Sequence, residues 1–431
     1  MGGITLTRRV VRNLLLRSPQ LVFLTVAVVA AARQFEDATA IRFAFIVLIS
    51  TPVFSLLELG LREIRFASTA TFDTFLRVRG SSSVLGVAVC AAIAATTEGI
   101  GTAGAAWLVI KAADHLADIC GAESLHRREL RRFEVREGFR GGVNLVILVG
   151  AVAVGQLADG LVLAAIASVL FVFVVQIRRL RIGSQSDPTS LSGSSLSGSS
   201  LSGSSLPDPM LTLVRSGLFL AAGAGVMAGR SLFIRGSITS IAVGDELVLY
   251  ALLVTVFQAF NVISTTGAQL SLPRLREAAP GERANMTVRV AIGLVGPLVV
   301  LGAAFVVFAG ELATVVGVQE SARRVQWLAG SLVVARTAGA IGTFVRSGLV
   351  VAGSLRSRLA IPTAATISSI GMILLLSTDS VVKVSWLDAF GRAVGLAVAL
   401  AWMWWTSRTA GANCPGAIGP EGGSGTLDPV R

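Results

Sequence analysis

The sequence predicts an all-α polytopic membrane protein with about 12 transmembrane helices in two six-helix bundles. Three observations predict this fold class. Hydrophobic residues make up 53% of the 431 residues and charged residues only 14%, whereas about a quarter of the residues of a soluble protein are charged. Apolar runs near 20 residues recur along the chain, which suits helices and is too long for barrel strands. A Gly/Ser-rich segment near the midpoint separates six runs from six others.

Each apolar run is long enough to cross the hydrocarbon core of a bilayer as a helix. The predicted spans cover about residues 12–32, 40–61, 81–98, 102–122, 141–158, 160–177, 211–233, 247–270, 289–309, 325–350, 360–377 and 386–406. Several of them are rich in Gly and Ala, which allows helix backbones to approach closely in lipid.

Low-complexity sequence sets the predicted domain boundaries. Residues 183–209 contain Leu-Ser-Gly-Ser-Ser three times in succession. Such sequence cannot bury enough apolar surface to offset its ordering entropy, so we predict a flexible cytoplasmic linker there. The same argument predicts a disordered cytoplasmic tail over 407–431. The N-terminal six-helix bundle then covers 1–182 and the C-terminal bundle covers 210–406.

The distribution of positive charge predicts the orientation in the membrane. The formal net charge is +12, and all the cationic side chains except Lys111 and Lys383 are arginines. With the N-terminus in the cytoplasm, the inner loops hold nineteen Arg and Lys residues and the outer loops hold five. The positive-inside rule therefore places both termini in the cytoplasm and the protein in the inner membrane. These arginines lie between apolar runs, so we expect lipid headgroups and no nucleic acid as their partners.

The residue types of common catalytic and metal sites are sparse. Neither lysine follows a phosphate-binding glycine loop, which leaves the chain without a recognisable nucleotide site. The two histidines, His115 and His126, have neither metal-site nor triad spacing. Cys90, Cys120 and Cys414 form no disulfide framework. We expect neither an enzyme nor a cofactor or metal ion.

A polar stripe on the fourth predicted span is the strongest candidate for a functional feature. Lys111, Asp114, His115 and Asp118 follow the i, i+3, i+4, i+7 spacing that places side chains on one helix face. Ionisable side chains at bilayer depth persist mainly where they face protein or water, so the stripe indicates an aqueous lumen. The alternative is an internal pair of Lys111 with Asp114 that fixes helix packing.

Other spans also carry arginines, and cations outnumber acids among these positions. The residues are Arg17, Arg42, Arg230, Arg336, Arg346 and Arg392. For Arg42 and Arg392 the alternative is that the side chain reaches the membrane interface. A lumen lined by the others would favour an anionic headgroup, because the guanidinium fork matches phosphate oxygens.

Several segments resemble one transporter family, in the same order along the chain. Residues 28–36 and 56–61 resemble the first two helices of the polysaccharide exporters of the multidrug/oligosaccharidyl-lipid/polysaccharide (MOP) flippase superfamily. Residues 111–121 and 258–275 resemble the fourth span and the eighth span with its Pro-Arg exit. The stretch 351–353, with Arg356, resembles the end of the tenth.

The resemblance implies a V-shaped pair of six-helix bundles around a central cavity. It implies a flippase that moves undecaprenyl-pyrophosphate-linked oligosaccharide outward by alternating access. The expected partners are this lipid-linked anionic oligosaccharide, membrane lipids, and a polysaccharide polymerase with glycosyltransferases. Arg17, Arg42 and Arg230 lie in helices that match those contacting the pyrophosphate in the family. The predicted substrate-binding residues are Arg17, Arg42, Lys111, Asp114, Arg230 and Arg336.

Three alternatives remain open at this point. A cation-coupled multidrug or metabolite exporter of the same superfamily would bind its coupling ion at Glu58, Asp114 and Asp118. A membrane glycosyltransferase would use the acidic pair 36–37, although the loop that carries this pair is too short to shape an acceptor site. A scaffold for a polymerisation complex would bind partners through the linker and tail, and would not need a polar stripe.

Overall fold

The computed structural model describes residues 2–58, 61, 71–96, 99–127, 129–180, 209–242, 244–278, 280–316, 320–351, 357–376 and 378–412. Over these residues the chain is helical, and none of them lies in a β-strand. The predicted linker, up to residue 208, and the predicted tail from residue 413 lie outside the described residues. The boundaries proposed for them from the sequence stay predictions.

Within the described residues, six helices precede the predicted linker and six apolar segments follow it, in the order that the hydropathy pattern predicted. The first half contains α1 (Gly2–Gln34), α2 (Asp37–Leu56), α3 (Phe72–Ala95), α4 (Gly101–His126), α5 (Leu130–Ala153) and α6 (Leu157–Leu170), which continues as a π-helix (Phe171–Ile177). The second half contains α7 (Pro209–Ile241), α8 (Asp245–Val256), α9 (Gln258–Glu277), α10 (Pro280–Val316), α11 (Ala322–Val351), α12 (Ser357–Leu375) and α13 (Val381–Ala412). Because α8 and α9 follow one another directly, they correspond to one predicted span.

Among the described residues, eight helical segments are long and apolar enough to cross a membrane. They are Leu15–Gln34, Asp37–Leu56, Phe72–Ala95, Leu157–Leu180, Asp245–Ala268, Glu282–Thr314, Ala322–Leu349 and Val381–Thr406. Helices α4 and α5 fall outside this group because ionisable residues interrupt their apolar surface. Large apolar side chains cover the outer faces of other helices, as at Leu163 and Ile166 on α6 and at Val300 and Leu301 on α10. Apolar surface of this extent indicates contact with lipid.

The two halves pack as separate bundles that share one apolar interface. In the first half α1 packs on α5, and α4 packs on α2, α3 and α6. In the second half α11 packs on α9, α10 and α13, and α12 packs on α7 and α13. The halves meet where α1 and α2 contact α7, α8 and α9. Helix α8 is buried from Glu246 to Thr255, and its Leu249 and Leu252 share a core with Phe23 and Ile46 of the first half.

The contact between α1 and α5 depends on glycine. A Cβ atom at Gly141 would lie 2.8 Å from the backbone nitrogen of Gln20, and one at Gly138 would overlap the carbonyl oxygen of Leu16. The two glycines lie one turn apart on α5, as their neighbours do on α1. Small residues at this spacing let the two backbones approach, which is the usual way that helices pack in lipid.

Replacing Gly141 by alanine is expected to destabilise the protein by about 1–3 kcal/mol, because the backbone of α1 leaves no room for the added methyl group. Gly142 on the same helix provides the control, since a Cβ atom there meets nothing within 4 Å. Gly142→Ala should be neutral or slightly stabilising, because alanine favours the helix. Unfolding midpoints of the purified proteins in detergent test this; equal midpoints for the two variants would contradict the close contact.

Candidate functional site

A cluster of buried charges lies between α4 and α5 in the first half. We call it the N-terminal cluster, and it consists of Gln20, Lys111, Asp114, Glu137, Arg140 and Gln176. The Nη2 of Arg140 donates to Asp114 Oδ1 and to Glu137 Oε2, at 2.7 Å in each case. The amide of Gln20 donates to the same Asp114 oxygen at 2.9 Å, and the Gln176 amide donates to Glu137.

This cluster carries no net charge, because Lys111 and Arg140 balance Asp114 and Glu137. Lys111 Nζ lies 4.0 Å from Asp114 Oδ2 and 5.2 Å from the centroid of the Trp107 ring. The pairing of Lys111 with Asp114, which the sequence offered as the alternative to a lumen, is present, but Arg140 is the closer partner of Asp114. The π-helical turn carries Gln176 to Glu137, which fits the frequent occurrence of such turns at functional sites.

The second half of the α4 stripe is a tightly paired packing contact. Arg79 of α3 is 1% exposed and donates to Asp118 Oδ2 at 2.6 Å. Its remaining guanidinium nitrogens donate to the carbonyl oxygens of His115 and Glu58, both at 2.9 Å. His115 Nδ1 lies 2.8 Å from Ser83 Oγ. Asp118 and His115 thus join α3 to α4.

A second cluster lies in the C-terminal half, and its charge is unbalanced. We call it the C-terminal cluster: Arg230 and Arg235 on α7, Tyr250 on α8, Arg336 on α11, and Asp388 and Arg392 on α13. Asp388 accepts from Arg392 Nε at 2.9 Å, and its other oxygen lies 3.6 Å from Arg230 Nε. Four guanidinium groups therefore face one carboxylate, which leaves a net charge of about three positive units.

A small cavity of about 20 Å³ opens inside the C-terminal cluster. Its polar lining residues are Ser231, Arg235, Tyr250, Arg336, Asp388 and Arg392. A cavity of this size holds about one water-sized particle. It lies among helices of the second half and is too small for a lipid headgroup or a drug.

Arg235 also connects the two halves. Its Nη1 donates to the carbonyl oxygen of Leu48 on α2, and the side chain is buried. The spans predicted from the sequence, 81–98, 141–158 and 211–233, leave Arg79, Arg140 and Arg235 outside them. All three lie within helices. Helices α3 and α5 begin well before their predicted spans, and α7 ends well after its predicted span.

The predicted substrate-binding residues fall into several parts of the molecule. Arg230 and Arg336 belong to the C-terminal cluster, and Lys111 and Asp114 belong to the N-terminal cluster. Arg17 is half-buried on α1, and Arg42 is exposed on α2. The structure thus brings together two pairs of the six residues.

Asp388, Arg392 and Tyr250 complete the C-terminal cluster. The signal that could have identified Asp388 was its i, i+4 spacing from Arg392 within an apolar span.

Among the described residues, no group of three or more His, Cys, Asp or Glu side chains could hold a metal ion. The acids that a coupling cation would use are already engaged. Asp114 is held by Arg140 and Gln20, and Asp118 by Arg79. A cation that binds at either carboxylate has to compete with a guanidinium group.

No protein-family model matches the chain, and no curated protein matches its sequence. Solved structures do match. An inward-facing multidrug resistance MATE family transporter of the MOP superfamily superposes with a TM-score of 0.59 at 12% identity, covering 94% of this chain and 100% of that one. The Vibrio cholerae MATE transporter VcmN in its bent form gives 0.58 at 13% identity, covering 95% and 97%.

A MOP superfamily transporter from Pyrococcus furiosus, described as having a binding pocket of reverse polarity, gives a TM-score of 0.55 at 13% identity, with 95% and 98% of the two chains covered. These matches confirm the predicted fold class and the two bundles. The narrower assignment to the polysaccharide exporters stays a prediction. The chain therefore has the two-bundle helical fold of the MATE transporters of the MOP superfamily.

Proposed function

We propose that the protein is a membrane exporter that moves a drug-like or metabolite solute by alternating access. The observation that carries this proposal is the match to MATE transporters over 94% of the chain, which includes both bundles. Two of the matched structures, one inward-facing and one outward-facing, are described as a multidrug resistance MATE family transporter. This is the exporter that the sequence offered as an alternative to the oligosaccharide flippase.

Within this proposal the solute is an organic anion. The N-terminal cluster is neutral and the C-terminal cluster is cationic, so the two clusters together carry an excess of positive charge. An inside-negative membrane potential favours the outward movement of an anion by about 2.3 kcal/mol per charge per 100 mV. The reverse-polarity pocket ascribed to the Pyrococcus furiosus transporter supports the idea that this fold accepts pockets of different charge.

Asp114 is the proposed coupling residue of the exporter. It is the point at which α1, α4 and α5 are joined by polar contacts, through Gln20 and Arg140. A proton or cation that neutralises Asp114 would weaken both contacts, and would therefore change how α5 is held against α4. A change in this contact is the kind of discrete rearrangement that alternating access requires.

Flux through vesicles that contain the purified full-length protein tests the proposal. We expect an anionic fluorescein-type dye to cross more readily than a cationic ethidium-type dye. Asp114→Asn should reduce flux to the level of empty vesicles, while Asp159→Asn, an exposed position on α6, should leave it unchanged. Faster flux of the cationic dye would contradict the anionic cargo, and equal flux for the two variants would contradict the role of Asp114.

A lipid-linked oligosaccharide flippase is the second candidate. The observation that favours it is the set of buried arginines, since guanidinium groups bind phosphate oxygens through two parallel hydrogen bonds. In a strain that lacks the gene, this function predicts accumulation of lipid-linked sugar in the inner leaflet. Accumulation without dye flux in vesicles would favour the flippase. Dye flux without accumulation would favour the solute exporter. If neither accumulation nor dye flux is observed, both candidate functions are contradicted.

A further inference from the structure

The cavity of the C-terminal cluster combines a small volume with a concentration of cationic groups. Arg235, Arg336 and Arg392 line it from α7, α11 and α13, and Asp388 is the one carboxylate among its described lining residues. Arg230 lies beside it, 3.6 Å from Asp388. The charges are buried: the exposed fraction is 2% for Arg230, 7% for Arg235 and 8% for Arg336.

Arg336 lines the cavity without a direct ionic or hydrogen-bonded contact to the described residues. Arg230 Nε, a donor beside the cavity, is also buried without a hydrogen-bond partner in the described part of the chain. Buried charges are costly unless they are paired and hydrogen-bonded. The cavity therefore needs a negatively charged group that the described residues do not supply.

We propose that this cavity binds a small monovalent inorganic anion, which in the cell would be chloride. Guanidinium N–H groups of Arg336 and Arg392 would donate to the ion, and the hydroxyl groups of Ser231 and Tyr250 are further donors on the cavity wall. Chloride is only slightly larger than a water molecule and fits a cavity of about 20 Å³, whereas phosphate and sulfate do not. Water would fit but would not neutralise the excess charge.

The ion would act as a structural counter-charge that holds α7, α11 and α13 together. This role does not depend on the proposed cargo, because the cavity is too small for an exported solute. The structural role of the bound anion also differs from that of a coupling cation, because the positively charged cavity attracts anions.

Thermal unfolding of the purified full-length protein in detergent tests the site. In this experiment sodium chloride replaces sodium gluconate at constant ionic strength. Gluconate is the reference anion because it is too large for the cavity. We expect the unfolding midpoint to rise by about 2 °C on going from no chloride to 200 mM chloride, by mass action on the folded state. Bromide should act like chloride, and sulfate should not.

Two variants on α11 separate site binding from general salt effects. Arg336→Gln removes the unpaired cation and should abolish the chloride-dependent rise. Arg323→Gln makes the same charge change at an exposed position and should retain the rise. A rise of equal size in all three proteins, or no rise in the wild-type protein, would overturn the proposal.

Anomalous scattering from crystals of the wild-type protein grown in bromide gives a second test, which does not depend on whether Arg336→Gln folds. The expected result is a bromide peak between Arg336, Arg392 and Tyr250. A well-ordered cavity without such a peak would overturn the proposal.

Discussion

Replacing Arg140 by methionine is expected to lower the free energy of unfolding by about 3–5 kcal/mol, the range measured when one partner of a buried ion pair is removed. Arg140 is 2% exposed, and its Nη2 is a hydrogen-bond donor to both Asp114 and Glu137. Methionine fills a similar volume, so the loss comes from the carboxylates: Glu137 would stay buried without a counter-charge, and Asp114 would keep only Lys111, at 4.0 Å. Reversible unfolding in mixed detergent micelles provides the measurement.

Two comparisons identify the cause of this loss. Arg131→Met on the same helix removes an exposed guanidinium and should change stability by less than about 0.5 kcal/mol. Adding Glu137→Gln to Arg140→Met should recover much of the stability, because Lys111 still balances Asp114 and an uncharged side chain at position 137 no longer needs a cation. If the Arg140 and Arg131 variants unfold alike, the N-terminal cluster does not stabilise the first half.

The second large effect is expected at Asp388, the carboxylate of the C-terminal cluster. Asp388→Asn leaves Arg230 and Arg392 without an anionic partner, and should destabilise the protein by about 3–5 kcal/mol. The double variant Asp388→Asn with Arg392→Gln should be more stable than Asp388→Asn alone, because it has one fewer unbalanced cation. A double-mutant cycle on these two positions measures the coupling between them.

Asp379 provides the matched control for Asp388. It precedes α13 at the protein surface and pairs with Lys383 at 2.6 Å, with both side chains more than half exposed. Solvent screens such a pair, so Asp379→Asn should leave the unfolding midpoint unchanged. If Asp388→Asn has as little effect as this control, the arginines of the C-terminal cluster are not balanced by Asp388.

The helix count was predictable because it depends on short-range information. A run of apolar residues near 20 in length satisfies its own backbone hydrogen bonds as a helix, whichever neighbours it later acquires. Each predicted span therefore has a helical counterpart in the expected order. Helix ends were less predictable, because α3 and α5 extend into charged sequence. The arginines at 79 and 140 consequently lie inside helices.

The candidate site was predictable only in part. The stripe on α4 was visible from spacing alone, since 3.6 residues per turn places Lys111, Asp114 and Asp118 on one face. The partners of that stripe were not visible: Arg140 follows Asp114 by 26 residues, and Arg79 precedes Asp118 by 39. Nothing in the local pattern distinguishes these arginines from those of the predicted loops.

Hydropathy and charge spacing thus established a helical membrane protein in two halves with a polar face on α4. The packing of the helices decided which charges are compensated and which are not. The reason is that a buried charge is stabilised by groups a few ångströms away in space, and helix rotation and helix contacts select those groups. Arg235 contacts a carbonyl oxygen 187 residues away, and Arg336 faces a cavity formed by four helices. The neutral N-terminal cluster and the cationic C-terminal cluster are therefore properties of the folded protein.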